Sequence, residues 1–241
     1  PTDCPQRNER QGWLNDMTVR IEESLYNYGL ARFFTKWLRD IMDTQDPQTG
    51  AVADTAPFRW GNIPADSTAI SYVLIPWFLY LFYGDNRILE DYYDGIKGWT
   101  DCLYSHTREG LIDYCWYGDW CSPIPESWPP EKSGLPPDSP GAVTGVGSFS
   151  AVTPGVLMGT AHLIYACKTI ADIAQVLGRE GDADEYDRRA EELTGTFNKK
   201  FFDEESAGYA SGSQASNAFP LFLQLVPKGR GKEVLANIIH D

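Results

Sequence analysis

The chain has 241 residues, 42% hydrophobic and 22% charged, enough for one substantial core without forcing a second domain. Its formal net charge of −14 gives a surface that repels phosphate backbones, which sets nucleic acid aside as a partner. The longest apolar run, Ile70 to Tyr83, is too short to span a bilayer and is broken by Pro76, so no membrane partner is expected.

The chain opens on charged, irregular sequence and then turns helical. Val19, Ile21, Leu25 and Tyr28 predict a helix from Met17 to about Tyr28. Gly29 interrupts it. Leu30, Phe33, Phe34, Trp37, Leu38 and Ile41 then recur at the helical period. Asp46-Pro47-Gln48-Thr49-Gly50 is turn chemistry, and a loop follows through Pro57, Trp60-Gly61-Asn62 and Pro64. Asp66 is placed to cap the next helix, which is apolar nearly all round through Ile70, Val73, Leu74, Trp77, Phe78 and Leu81. Gly84 ends it. The following helix is two-faced, with Ile88, Leu89, Tyr92, Tyr93, Ile96, Trp99 and Leu103 opposite Glu90, Asp91, Asp94 and Lys97. A buried helix followed by an amphipathic one is what a double ring of helices needs, so Asp66–Tyr83 is expected to be more buried than Asn86–Ser105.

From about residue 106 to 152 the periodicity stops. Tyr114-Cys115-Trp116-Tyr117-Gly118-Asp119-Trp120 precedes a Pro-rich segment, and a loop of this length reads as a functional lid with a mobile part. Glu126 and Trp128 are further contact candidates there. Gly141 to Gly147 has neither the spacing nor the preceding strand of a phosphate-binding loop. Helices resume at about Thr153, where Leu163, Cys167, Ile170, Ala171, Ala174 and Leu177 form a stripe stopped by Gly178. Asp182-x-x-Glu185 has the form of a capping box. Tyr186, Ala190, Leu193, Phe197 and Phe201 form the next stripe, residues 203–208 turn, and two apolar segments close the sequence. That gives roughly eight helices in four hairpins and no strand runs.

Five cysteines, Cys4, Cys102, Cys115, Cys121 and Cys167, match no zinc spacing, and the three histidines are scattered, so no metal site is expected. Cys115 and Cys121 flank a short loop. They are candidates for a disulfide, with reduced, half-buried thiols as the alternative.

The densest chemistry is at the start, where Asp3-Cys4-Pro5-Gln6-Arg7-Asn8-Glu9-Arg10-Gln11-Gly12-Trp13-Leu14-Asn15-Asp16 gathers carboxylates, guanidiniums and an indole. Taken by residue type alone, this is a solvated, capped helix entry or a functional loop. The pattern Asp-Cys-Pro-x-Arg-x-Glu-Arg-x-Gly-Trp-x-x-Asp resembles the signature of the bacterial α-L-rhamnosidases, inverting glycoside hydrolases built as an (α/α)6 barrel. The similarity continues through Tyr83-Gly84-Asp85, Gly118-Asp119-Trp120 and Ser211-Gly212-Ser213-Gln214, and so covers essentially the whole chain.

The resemblance implies an all-α fold, with residues 1–241 a partial catalytic (α/α)6-barrel domain of about eight of the family's twelve helices, the rest expected beyond Asp241. The start on Pro1, without Met, also suggests a piece of a longer protein and leaves the compartment open. A truncated barrel edge would favour self-association. No cofactor is implied. Inversion needs an acid and a base about 6.5–9.5 Å apart. By resemblance Glu9 is the acid, its pKa raised by Asp3, Asp16 and a desolvating Trp13 against the pull of Arg7 and Arg10. Asp3 and Asp16 match positions that hold sugar hydroxyls, Arg7 buttresses Asp3 or donates to a hydroxyl, and Trp13 lines the sugar pocket or plugs the loop. Asp66 matches the Asp of a family Trp-Gly-Asp-Ala segment, with a plain helix cap as the alternative. Its Trp is replaced here, so that Trp60 or Phe58 would have to supply the wall. Trp120 matches a sugar-contacting Trp. Asp3, Glu9, Trp13, Asp16, Asp66 and Trp120 are expected to converge on one cleft. The family's base follows a Trp, and no Trp-Glu pair occurs in this sequence, so the base is expected beyond residue 241 and these residues alone are expected to be inactive.

The expected activity is removal of terminal α-L-rhamnose from glycans or glycosides. The rivals are another (α/α)6 glycosidase and a non-catalytic sugar-binding or scaffold module.

Overall fold

A computed structural model describes residues 10–120, 150 and 152–240. Among them are nine α-helices and two hairpins of two-residue strands, so the chain is all-α as the resemblance implied. It forms two compact units, Pro1–Ser105 with Ala166–Arg189, and His106–Tyr165 with Ala190–Asp241. None of the described helices is long and apolar enough to cross a membrane.

In the first unit the helix expected from Met17 to Tyr28 is two short ones, α1 (Leu14–Thr18) and α2 (Ile21–Asn27). The chain turns at Val19 and Arg20, and Val19 is exposed although it fits the apolar period. Helix α3 (Ala31–Met42) buries Phe34, Trp37, Leu38 and Ile41 at the predicted spacing. Helix α4 (Ser71–Tyr83) starts five residues after Asp66, with Ile70 rather than Asp66 at its N-cap. The plain-cap reading of Asp66 is therefore replaced by a different role. Residues Ser71 to Pro76 of α4 are buried on every face, but Leu81 and Tyr83 are exposed. The predicted all-round burial thus holds for the first half of the helix. Gly84 closes it at a left-handed φ of 70°, its N–H reaching the Tyr80 carbonyl.

Helix α5 (Arg87–Ser105) has the expected two faces, and Trp99, fully buried, donates its indole N–H to the Ala69 carbonyl at 3.1 Å. The parts of α6 (Gly155–Val176) and α7 (Glu180–Phe201) that belong to this unit pack on it through polar contacts as well as apolar ones. The Tyr93 hydroxyl donates to Asp182 Oδ2 at 2.8 Å, Lys97 Nζ sits 3.3 Å from Asp182 Oδ1, and the Arg179 guanidinium covers the Tyr93 ring. Asp182 is thus inside the first turn of α7, turned toward α5, and is not the N-cap of a capping box. Burial works against its ionised form, but the Tyr93 hydroxyl and Lys97 outweigh it and hold its pKa below the ordinary carboxylate value.

In the second unit β1 (Thr107–Arg108) pairs with β2 (Leu111–Ile112), and β3 (Phe202–Asp203) with β4 (Gly208–Tyr209). Both lie where the sequence signals turns and no strands; each is too short to show alternation. The Asp203 carboxylate closes the second turn by accepting the Ser206 N–H at 2.7 Å. Helices α8 (Gln214–Phe222) and α9 (Gly231–His240) follow. Phe197 and Tyr209 are fully buried at the centre of this unit, their rings 5.7 Å apart.

Candidate functional site

Of the predicted site residues, Asp3, Arg7 and Glu9 lie outside the described residues, as do Glu126, Trp128, Cys121 and the Pro-rich stretch. Trp13, Asp16 and Asp66 belong to the first unit and Trp120 to the second.

In the first unit, two stretches of extended chain lie side by side just before α1. Leu14 N–H donates to the Asp54 carbonyl and Ala56 N–H to the Gly12 carbonyl, both at 2.9 Å, which sets Trp13 opposite Thr55 in an antiparallel bridge. Trp13 is 9% exposed. Its indole meets the Trp60 ring edge to face, centroids 5.5 Å apart and planes at 84°. Trp60 itself is 61% exposed. Asp16 is half-buried in the first turn of α1.

Two acids of the same unit are buried. Asp54 and Asp66 are 1% and 0% exposed. Asp54 accepts three N–H groups: Asn62 N at 2.7 Å and Asn62 Nδ2 at 2.9 Å on Oδ2, and Asp66 N at 2.6 Å on Oδ1. Burial pushes the Asp54 carboxyl up to about 6, and the charge of Asp66 adds to the rise, while the donors from Asn62 and Asp66 pull it down. Asp66 Oδ1 accepts the Thr68 N–H at 2.9 Å, an Asx turn that explains why an acid stands here five residues before a helix. The Thr68 hydroxyl touches both the Asp66 carboxylate and the Asn15 amide. The atoms facing the hydroxyl are Asn15 Oδ1 and Asp66 Oδ1, both acceptors, so its single proton serves one of them at a time while the oxygen bridges the two side chains. Asn15, next to Asp16, is thereby linked to Asp66.

The second unit fixes the loop that ends in Trp120. Asp119 N–H donates to Ser150 Oγ at 3.1 Å, and Ser150 Oγ donates to the Thr153 carbonyl at 2.7 Å. Thr153 Oγ1 donates to Asp119 Oδ2 at 2.7 Å, which leaves it to accept from Ser213 Oγ, also 2.7 Å away. Ser213 is the N-cap of α8 and accepts the Ser216 N–H at 3.1 Å. The Gly118-Asp119-Trp120 and Ser211-Gly212-Ser213-Gln214 segments are therefore joined through one threonine. Gly118 has a φ of 52°, and a Cβ there would lie 2.4 Å from Ser150 Oγ, so a side chain is excluded at this position. Trp120 is 44% exposed and packs edge to face on Tyr117, centroids 5.4 Å apart.

The sequence reading gives no site role to Asp54, Asn62 or Thr153. Asp54 looks like one more polar residue in a loop. The signal was its setting: Ala51, Val52, Ala53 and Ala56 around it are small or apolar, and all are buried. A lone acid in such a run needs partners, because burying an unpaired charge is costly.

The whole chain, residues 1–241, matches the family described as the bacterial alpha-L-rhamnosidase 6 hairpin glycosidase domain. An alpha-L-rhamnosidase of Alteromonas sp. (strain LOR) is 30% identical over 224 residues, 92% of this chain and 22% of that protein. Among solved structures, alpha-L-rhamnosidase from Dictyoglumus thermophilum superposes with a TM-score of 0.84 at 33% identity, over 100% of this chain and 25% of that one. The Streptomyces avermitilis alpha-L-rhamnosidase complexed with L-rhamnose gives 0.79 at 26% identity, over 100% of this chain and 20% of its own. The chain thus spans about a fifth to a quarter of the length of these relatives.

Proposed function

Because this chain belongs to the bacterial alpha-L-rhamnosidase six-hairpin glycosidase domain family, we propose that it carries the acid side of an inverting α-L-rhamnosidase site, removing terminal α-L-rhamnose from glycans or glycosides. The observation that carries the proposal is the match over all 241 residues, which includes the Asp3–Asp16 motif. Glu9 donates its proton to the leaving oxygen, and a second carboxylate activates water from the opposite side of the sugar. Asp3, Asp16 and Asp66 accept hydrogen bonds from sugar hydroxyls, the stronger kind because the acceptor is charged. Arg7 buttresses Asp3. Trp13 presents its indole to the 6-deoxy methyl group.

The arrangement around Asp66 supports this reading. Its carboxylate is held by Thr68 and its backbone by Asp54, so it loses little freedom on binding. A preorganised acid beside an aromatic wall suits a ring with hydroxyls on one part and a methyl on another.

The test is activity on a panel of aryl glycosides by the longest natural polypeptide that contains these residues. Hydrolysis of the α-L-rhamnoside well above the α-glucoside and α-mannoside is expected. Preference for another sugar, or binding without hydrolysis, contradicts the proposal.

A further inference from the structure

Trp60 is a large apolar side chain left mostly in water, yet its position is strongly specified. Its carbonyl accepts the Thr55 hydroxyl at 2.7 Å, and its ring rests edge to face on Trp13. The next two residues lie against the Asp54 side chain: Gly61 so closely that a Cβ has no room, and Asn62 through two hydrogen bonds. Gly61 has a φ of 113°, and a Cβ there would fall 2.7 Å from Asp54 Cβ. Phe58, the other aromatic of this loop, faces elsewhere, lining a shallow groove with Asp40, Asp43, Thr44, Pro57 and Ile63. Of these two aromatics, Trp60 therefore joins Trp13. An isolated exposed apolar residue needs no explanation, but one fixed by this many contacts does.

We infer that Trp60 is a specificity-determining wall of the sugar site, stacking its exposed indole face on a ring of the rhamnose-bearing substrate, and that Asp54 is the positioning residue that holds it there. The inference rests on the rhamnosidase reading of the Trp13–Asp66 cluster. An indole face fits the C–H side of a pyranose, and a ring already immobilised by Trp13 and Asp54 gives up little entropy on binding. Asp54 never touches the sugar. Through Asn62 and Gly61 it sets Trp60, and through the Asp66 N–H it sets the neighbouring acid.

The experiment is calorimetric titration of the protein with L-rhamnose and with an aryl α-L-rhamnoside, using wild type, Trp60→Ala, Trp60→Phe, Asp54→Asn and the double variant Trp60→Ala/Asp54→Asn. Trp60→Ala should weaken binding about tenfold, as truncation of a central aromatic contact does. Trp60→Phe, which keeps a ring face, should recover most of it. Asp54→Asn sets an amide N–H against either the Asn62 donors or the Asp66 N–H and should also weaken binding. In the Trp60→Ala background that further loss should shrink to the part carried through the Asp66 N–H, because the part carried through the ring is already gone. Near-ultraviolet circular dichroism of the Trp13–Trp60 pair should change in Asp54→Asn while the helical far-ultraviolet signal is kept. Wild-type protein that binds neither ligand contradicts the rhamnosidase reading, and this inference falls with it. Wild-type binding that survives Trp60→Ala unchanged overturns this inference alone. An Asp54→Asn loss that persists undiminished without Trp60 overturns the positioning role.

Discussion

The backbone N–H of Asp66 lies 2.6 Å from Asp54 Oδ1, so one buried carboxylate holds the chain at the root of another. The two acids share a fully buried pocket. Ionising both there is costly, and the three N–H donors on Asp54 are what make it feasible near neutral pH.

This predicts a pH signature. Burial raises the Asp54 carboxyl from 3.8 to about 6, so the folded state binds its proton more tightly than the unfolded chain does. The resulting stabilisation is fully present below about pH 4 and is lost as pH rises through 6. For a group this buried the shift is worth about 3 kcal/mol. The stability difference between wild type and Asp54→Asn, measured by urea unfolding at several pH values, should fall by about that much between pH 4 and pH 7. A difference that stays flat over that range would show that Asp54 does not titrate there.

Gly61→Ala should destabilise more than Gly84→Ala. Both glycines have left-handed φ values, 113° and 70°, which side chains disfavour. A Cβ on Gly84 meets nothing within 4 Å, whereas one on Gly61 collides with Asp54. Gly84→Ala should cost about 1 kcal/mol, and Gly61→Ala about 1–3 kcal/mol beyond that. Thermal unfolding of the two variants compares them directly, and equal costs would mean that the loop yields and does not press on Asp54.

Thr153→Val removes the hydroxyl between Asp119 and Ser213 while keeping its shape, and should cost about 1–3 kcal/mol. Ser213→Ala removes an N-cap and should cost about 1 kcal/mol. Since the two hydroxyls share one hydrogen bond, the double variant should lose less than the sum. Strict additivity in denaturant titrations would show that the relay to Asp119 carries no energy.

The sequence made the helices legible where the apolar period was long. The stripes of α5 and α7 emerge at their predicted spacing, and those of α3 and α6 do so apart from Phe33, which is exposed, and Leu177, which lies beyond the end of its helix, because each buries one face over several turns. It was misleading where a short polar group had two uses. Asp66 and Asp182 both look like caps, since Asp is common there; Asp66 instead makes an Asx turn under the site, and Asp182 a cross-helix bond to Tyr93. Val19 fits the helical period but falls in the turn between α1 and α2, a break that no Gly or Pro announces. At the candidate site, Trp13 and Asp66 could be named because they stand in a motif. Asp54 could not, because its meaning comes from three donors that are distant in sequence or belong to the backbone.

The central claim, an inverting rhamnosidase with Glu9 as its acid, meets its most direct test in the stereochemistry of the first product. The longest natural polypeptide containing these residues should be mixed with an aryl α-L-rhamnoside and followed by proton NMR at early times, beside its Glu9→Gln variant. We predict that β-L-rhamnose appears first and mutarotates later, and that Glu9→Gln slows release about 10²–10⁴-fold on a substrate whose leaving group needs a proton. Initial release of α-L-rhamnose, or undiminished turnover by Glu9→Gln, would contradict it.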